Sequence, residues 1–329
     1  MYKDIFVFIE QKDNNLSKTS IEVLCKAREL GDLHKEKIIA ILIGEKNTGQ
    51  EESLIHYGAD IVLIIESPLL KEYTTEPYTK CICQIVNKYN PKILLYGATY
   101  IGNDLAARVS TRLNADLITD CTNLDIELET GFLTMTRPSN SGAQMITYVC
   151  ENFYPQMATV KPGIMKVISI DKLRIGEIFS IDIDLNENDV PIKVYETLKL
   201  SNNTGNITEA KYLISGGRGA GGPEGFKLLK ELAGLIGGEI ATSRPNVDEG
   251  WIEKERQVGL SGKTVNPQLY LACGISGSIH HVIGMENSEM IIAINVDRNA
   301  PIFDMADVGI VGDLKSILPK LIDNIKNIK

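Results

Sequence analysis

The sequence predicts an α/β protein of two domains, each an open, mainly parallel sheet with flanking helices. Three observations carry that prediction. Short apolar runs alternate with helical patterns through the first half of the chain, the rhythm of a parallel sheet. The alternation resumes after Ala210. Between the two stands Ser201-Asn-Asn-Thr-Gly-Asn206, a turn-rich composition suited to a linker. With 329 residues, each half is long enough to bury a core of its own.

Ile5–Ile9, Lys37–Ile43, Ile61–Ile65 and Ile93–Tyr96 read as strands, being short runs of strand formers bounded by polar residues. Helical patterns fill the gaps at Ser17–Leu30, Thr48–Tyr57, Pro77–Tyr89 and Asn103–Leu113. Thr99-Tyr-Ile-Gly-Asn-Asp104 forms the loop and helix start after the fourth strand. From about Asp120 the pattern changes. Leu124–Leu128, Phe132–Arg137, Ala143–Cys150 and Gln156–Val160 are short, alternating and separated by Gly, Asn and Pro, which predicts antiparallel strands appended to the sheet. Residues 173–205 are less regular, and Asp182–Asp189 is acidic; Val190–Leu200 is expected to form one more strand crossing between domains. These readings give a first domain at 1–205, ending in a linker at 186–205, and a second at 206–329. The second domain opens with the strand Ala210–Ser215, followed by a glycine turn and an amphipathic helix at Phe226–Leu235. Glu239–Thr242, Leu269–Cys273, Ile291–Asn295 and Val308–Val311 supply further strands, and Leu314–Ile328 closes the chain as a helix.

Composition narrows the class of function. Hydrophobic content of 43% with 23% charged residues is ordinary for a globular protein. A net charge of −9 argues against nucleic acid, which needs a dense Lys/Arg surface, and against a polybasic membrane anchor. The longest apolar run, Ile38–Ile43, is strand-sized, so no membrane insertion is expected. Lys3–Ile9 begins directly as a strand, without the pattern of a secretory or transit peptide; a cytoplasmic, bacterial protein is expected. The six cysteines are scattered without C-x2-C spacing, so reduced buried thiols are expected rather than an iron–sulfur or zinc site.

The chemistry-bearing motifs lie in the second domain. Gly217-Arg-Gly-Ala-Gly-Gly222 follows a strand and precedes a helix, matching the dinucleotide fingerprint. A ribose-binding acid is expected at the end of the next strand, yet that strand ends in Ser243-Arg244. An NADP-dependent oxidoreductase tolerates an arginine there, so it stands as the alternative function. Gly259-Leu-Ser-Gly262 offers a hydroxyl in a turn. Gly274-Ile-Ser-Gly-Ser-Ile-His-His281 is a strand–turn–helix unit whose N–H groups suit an anion. His280 and His281 are adjacent on that helix start, so at most one faces a ligand there. Asn295 and Asp313 end two further strands, where polar side chains suit a nucleotide and also suit turns. No G-x-S-x-G elbow, Walker A sequence or H-E-x-x-H motif occurs.

Taken in order, Ser215–Gly219, Ser243–Pro245, Gln257-Val-Gly-Leu-Ser-Gly-Lys263, Pro267–His281, Ala293–Asn295, Ala300–Phe303 and Ala306–Leu314 resemble the alpha subunits of electron-transfer flavoproteins. The match is dense from Ser215 to Leu314, while the N-terminal half fits in length and βα pattern. The resemblance implies a Rossmann-like domain holding FAD, and a beta subunit that pairs with the N-terminal domain to complete a heterodimer. It implies an electron carrier rather than a substrate-converting enzyme, serving an acyl-CoA or other flavin-dependent dehydrogenase. The motifs do not distinguish simple transfer from electron bifurcation.

Carried over position by position, the resemblance implies that Arg218 and Ser243 contact FAD and that Arg244 lies against the isoalloxazine. Val258, Gly259 and Leu260 line the flavin, and the Ser261 hydroxyl bonds its N5. Ser276, Gly277, Ser278 and Ile279 provide turn contacts, and His281 sits by the pyrimidine oxygen. Asn295, Asp313 and Leu314 line the adenosine end. Reduction adds negative charge to the flavin, so a cation and an imidazole beside it raise its potential. Two positions depart from the family pattern. Leu260-Ser261 stands where many members carry Gln-Thr, keeping the hydroxyl and losing an amide. His280 stands where many carry Gln, and is expected on the surface. No ferredoxin-like segment precedes the first strand, so no iron–sulfur cluster is expected.

Overall fold

The computed structural model describes residues 2–12, 15–46, 49–139, 144–167, 170–197, 206–208 and 210–328. The chain divides into two compact units, the first of residues 1–138 and 145–198 and the second of 139–144 and 199–329.

The first unit begins with β1 (Lys3–Ile9), the short pair β2 (Gln11–Lys12) and β3 (Asn15–Leu16), α1 (Lys18–His34) and β4 (Ile38–Gly44). Next come α2 (Glu51–His56), β5 (Ile61–Glu66), α3 (Thr75–Tyr89), β6 (Pro91–Gly97) and α4 (Tyr100–Leu113). Then follow β7 (Leu117–Cys121), β8 (Asn123–Ile126), β9 (Leu133–Ser139), β10 (Gln144–Val149), β11 (Gln156–Val160) and β12 (Glu177–Ser180). Seven strands make one sheet in the order β12-β5-β4-β1-β6-β11-β7, with every pairing parallel. The period of two along β1 explains how it is covered. Ile5, Val7 and Ile9 pack on one face with Val23, Leu24, Ala27 and Leu30 of α1. Phe6 and Phe8 pack on the other with Ile82 and Ile85 of α3 and Leu105 and Val109 of α4. Burying a side chain of this size stabilises by roughly 1.5–3 kcal/mol, so both faces need a helix layer.

Two expectations are corrected here. Gln156–Val160 is no appended antiparallel strand; it runs parallel between β6 and β7, in the interior of the main sheet. All five of its residues are buried, the mark of a strand covered on both faces. The other expected antiparallel strands are present: β8 pairs antiparallel with β9, in a small three-stranded sheet with β10. Val190–Leu200 forms no strand over 190–197, and 198–200 fall outside the described residues. A 3₁₀ turn at Glu187–Asp189 precedes it, and the strand not foreseen, β12, lies earlier, at the sheet edge. Of the expected helix Thr48–Tyr57 and strand Ala143–Cys150, residues 48 and 143 lie outside the described residues, as do 201–205 of the linker.

The segment around β12 is tied back by charge. Asp60 receives Arg28 at 2.8 Å, Arg174 at 2.7 Å and the Ile38 N–H at 2.8 Å. Burial raises the Asp60 pKa, but those donors outweigh it and hold the carboxyl below the usual range.

The second unit comprises β13 (Tyr212–Gly216), α5 (Pro223–Ile236), β14 (Glu239–Thr242), α6 (Arg244–Asp248) and β15 (Leu269–Cys273). The rest is α7 (Ile279–Val282), β16 (Ile291–Asn295), β17 (Val308–Val311) and α8 (Leu314–Ile328). Its five-stranded sheet has the order β14-β13-β15-β16-β17, again all parallel. Proline at the first position of α5 and Gly237 in the left-handed region just past its end delimit that helix. Phe226, Leu229 and Leu232 of α5 and Leu314, Leu318 and Ile322 of α8 cover one face. The other face is covered by Val258, Val265, Met285 and Ile302 over Tyr270, Ala272 and Ala293.

Among the described residues no helix is long and apolar enough to cross a membrane. None of their His, Cys, Asp and Glu side chains group to hold a metal ion. All six cysteines are buried and none forms a disulfide; burial pushes the Cys81 thiol up to about 12, which leaves it unreactive at neutral pH.

Candidate cofactor site

The strand order of the second unit places its ligand edge. From β13 the chain moves outward to β14, then crosses back to β15 on the other side of β13. The crevice beyond the carboxyl ends of β13 and β15 is therefore the topological switch point, where open α/β sheets bind ligands. Arg218 follows β13, Ser243 and Arg244 follow β14, Ser276–His281 follow β15, Asn295 ends β16, and Asp313 and Leu314 follow β17. Every sequence-predicted site residue outside the 258–261 turn thus sits at one edge of one sheet. That turn joins the same edge, because Val258 donates its N–H to the Thr242 carbonyl at 2.9 Å.

The corresponding crevice of the first sheet, between β1 and β6, is filled by its own side chains. Thr99 Oγ1 donates to the Glu10 carboxylate, the Glu10 N–H donates to Ser20 Oγ at 2.9 Å, and Gly97 packs on Thr19.

At the second switch point the two glycine loops pack backbone against backbone. A Cβ on Gly217 would lie 2.2 Å from the Gly274 carbonyl oxygen, and one on Gly219 would lie 2.8 Å from Gly274 Cα. Loop-to-loop packing accounts for these glycines, and the space over them is taken by the 274–275 main chain. Two of the three fingerprint glycines are thus explained without a dinucleotide over them, while a Cβ on Gly222 would meet only Trp251, at 3.9 Å, so the motif no longer carries the NADP alternative.

The 274–281 turn is held from the side. Asn295 Nδ2 donates to the Ile275 carbonyl at 2.9 Å, and the Ile302 N–H donates to the Ser276 carbonyl at 3.1 Å. Gly277, at φ +88°, sits where a Cβ would come within 2.2 Å of the Ile302 nitrogen. Among the described residues, no backbone carbonyl takes the N–H of Ser276, Gly277, Ser278 or Ile279. The helix that follows, α7, has only four residues, so its macrodipole adds little. The anion donors here are the individual N–H groups of the turn, not a helix end.

A cleft of ≈ 380 Å³ opens beside this turn, lined by Ser243, Arg244, Val258, Gly259, Leu260, Ser261, Ser278 and His281 among others. Eight of the fifteen expected residues therefore share one wall system. Arg218, Ser276, Gly277, Ile279, Asn295, Asp313 and Leu314 do not line it, although they share its edge of the sheet. Pro245, Asp248, Gln257 and His280 line it too, and sequence reasoning did not assign them. Gln257 was quoted within its motif, but its burial depends on residues far away in sequence.

Arg244 opens α6, and its Nε lies 3.4 Å from Asp248 Oδ2, both side chains well exposed. Such a pair contributes little and leaves the guanidinium free to meet an anion. Arg218 is exposed on a 3₁₀ turn and has no ion-pair partner among the described residues. His280 is exposed, as expected, yet stands at the rim of the cleft.

His281 is different. It is buried, with Nδ1 at 3.1 Å from the Val258 carbonyl and Nε2 at 2.9 Å from the Tyr270 hydroxyl. A carbonyl only accepts, so Nδ1 carries the proton and Nε2 accepts from Tyr270. Burial pulls its pKa down to about 4, opposed by the Val258 bond. At neutral pH it is a neutral imidazole with both nitrogens engaged inside the protein. Because the unfolded chain binds this proton near pH 6.5, stability present above that value is lost as pH falls toward 4. We expect about 2 kcal/mol to vanish between pH 7 and pH 5, read by urea unfolding through Trp251, the chain's single tryptophan. His281→Gln should flatten that slope, and equal slopes would reject this account.

The groups present suit a flavin dinucleotide. Four unengaged turn N–H groups fit a pyrophosphate, and an arginine, a serine and an imidazole face a ring-sized cleft. Comparison with known proteins agrees. Residues 5–185 match the electron transfer flavoprotein domain, and residues 206–286 match the electron transfer flavoprotein FAD-binding domain. The chain is 48% identical over 328 residues to the electron transfer flavoprotein subunit alpha of Thermoanaerobacterium thermosaccharolyticum, covering 100% of this chain and 99% of the relative. It is 46% identical to protein FixB of Clostridium saccharobutylicum, covering 99% and 97%. It is 38% identical to the acryloyl-CoA reductase electron transfer subunit beta of Anaerotignum propionicum, covering 99% and 96%. The chain therefore belongs to the alpha-subunit family of electron-transfer flavoproteins, FAD-binding electron carriers that work with a beta subunit.

Proposed function

We propose that FAD lies along the carboxyl edge of the second sheet and that the first unit serves as the pairing surface for the beta subunit. The turn N–H groups of Ser276, Gly277, Ser278 and Ile279 hold the pyrophosphate, with Arg218 adding charge. Asn295, Asp313 and Leu314 flank the adenosine end, Leu314 through its backbone, since its side chain belongs to the core. Ser243, Val258, Gly259 and Leu260 shape the ring pocket. The Leu260 N–H is already given to the His280 carbonyl at 2.6 Å, so residue 260 contributes only apolar surface. Bound FAD supplies one- and two-electron acceptance; the protein sets its potential and excludes water. Arg244 provides a cation for the reduced ring, and Ser261 a hydroxyl. His281 packs as a neutral wall, and a hydrogen bond from it to the ring requires one of its two internal bonds to open. The observation that carries this reading is the convergence of Arg244, Ser261 and His281, from three separate segments, on one cleft.

A flavin-dependent acyl-CoA dehydrogenase or reductase is the proposed partner, supported by the relative named as an acryloyl-CoA reductase subunit. Co-expression with the beta subunit tests the reading. The expected product is a yellow heterodimer whose FAD is reducible by dithionite; a second flavin, reduced by NADH, would extend the role to bifurcation. A colourless heterodimer that takes up no added FAD would sink it.

A further inference from the structure

Gln257 is a buried polar side chain at the floor of the cleft, 4% exposed. Its Nε2 lies 2.9 Å from Ser261 Oγ, while Ser261 itself is exposed. The main chain around the pair is held in place without that contact. The Gln257 N–H donates to the Lys254 carbonyl at 3.0 Å, the Lys263 N–H to the Gln257 carbonyl at 2.8 Å, and the Gly262 N–H to the Gly259 carbonyl at 2.9 Å. The amide-to-hydroxyl bond is therefore not what folds the turn. Its effect falls on the hydroxyl.

A serine hydroxyl has one proton and two lone pairs and rotates to suit its surroundings. An amide N–H beneath it can only donate, so it occupies a lone pair on the oxygen. The Ser261 proton then turns away from Gln257, into the cleft. We infer that Gln257 is a positioning residue that fills one lone pair of Ser261 and leaves its proton directed as a donor toward the flavin. This rests on the FAD placement proposed above. The Gln257 amide, four residues before Ser261, is used on the serine and not on the ring. A donor oriented before the cofactor arrives costs no reorganisation when charge builds on the ring.

The test is a double-mutant cycle on the heterodimer with Ser261→Ala, Gln257→Met and both together, reading the flavin midpoint potential and the FAD dissociation constant. Methionine matches glutamine in length, and replacing a buried amide by an apolar group of similar shape is mild. Each single variant should shift the one-electron equilibrium by a few-fold to about tenfold, the upper figure being about 59 mV. The double variant should match Ser261→Ala, because Gln257 acts only through that hydroxyl. Additive shifts, or no shift from Gln257→Met in a folded yellow protein, would overturn the inference. Should Gln257→Met fail to fold, Gln257→Glu serves instead. Its carboxylate accepts the Ser261 proton and should also lower the potential, by less in the Ser261→Ala background; an equal shift in both backgrounds overturns the inference. A colourless wild-type heterodimer fails the FAD placement itself, a result distinct from a yellow protein with an additive cycle.

Discussion

Replacing Gly217 by alanine is expected to destabilise the second unit by about 3 kcal/mol and to abolish tight FAD binding. The residue has an ordinary φ of −99°, so backbone strain is not the reason. The new Cβ would stand 2.2 Å from the Gly274 oxygen and 2.7 Å from Gly274 C and Ile275 Cα. All three are main-chain atoms, and no rotamer change relieves them. Relief requires the two switch-point loops to part, and they carry Arg218 and the turn donors. Gly234→Ala makes the control. It lies inside α5 with nothing within 4 Å of a built Cβ, and should stabilise by about 0.5–1 kcal/mol. Urea unfolding followed by Trp251 fluorescence reads both, since that residue packs against the second unit's core. Equal midpoints for the two variants would refute the loop-packing account.

Arg244→Ala should lower the flavin potential while leaving the fold and most of the FAD affinity intact. A unit charge near a partly solvated anion is worth about 1–4 kcal/mol, and 1.4 kcal/mol is about 59 mV for one electron. A fall on the order of 50–150 mV is therefore expected. Asp248 loses its partner in this variant and adds repulsion in the same direction. The side chain is two-thirds exposed, so the unfolding midpoint should hardly move. Arg244→Lys keeps the charge but loses the planar fork, and should fall between. Spectroelectrochemical titration decides; an unchanged potential in yellow Arg244→Ala rejects the role.

The second sheet was legible because its strands are short apolar runs set apart by glycine and proline, signals that act within a few residues. The same locality explains the failures in the first unit. Gln156–Val160 looks alternating by itself, and only its neighbours β6 and β7, 39 to 63 positions upstream by the β6 and β7 registers, make it a buried parallel strand. β12 is only four residues long, with Ile178 and Phe179 adjacent rather than alternating and all four residues exposed, so no period of two marks it. At the site, the motif residues outside the 258–261 turn were legible because each lies at a strand end. Gln257 and Tyr270 were missed because their burial, and what they bond, depend on chain segments brought together only by folding.

The sequence by itself determined the two α/β units, the family and the cofactor. The units follow from local periodicity, and the family and its cofactor from the resemblance that motifs contiguous in the chain carry. Tertiary structure decided how the groups are used. It gave both nitrogens of His281 to Val258 and Tyr270, turned Gln257 under Ser261, and packed Gly217 and Gly219 against Gly274. Hydrogen-bond direction, protonation and steric room depend on which atoms meet within a few ångströms, and sequence order does not set that.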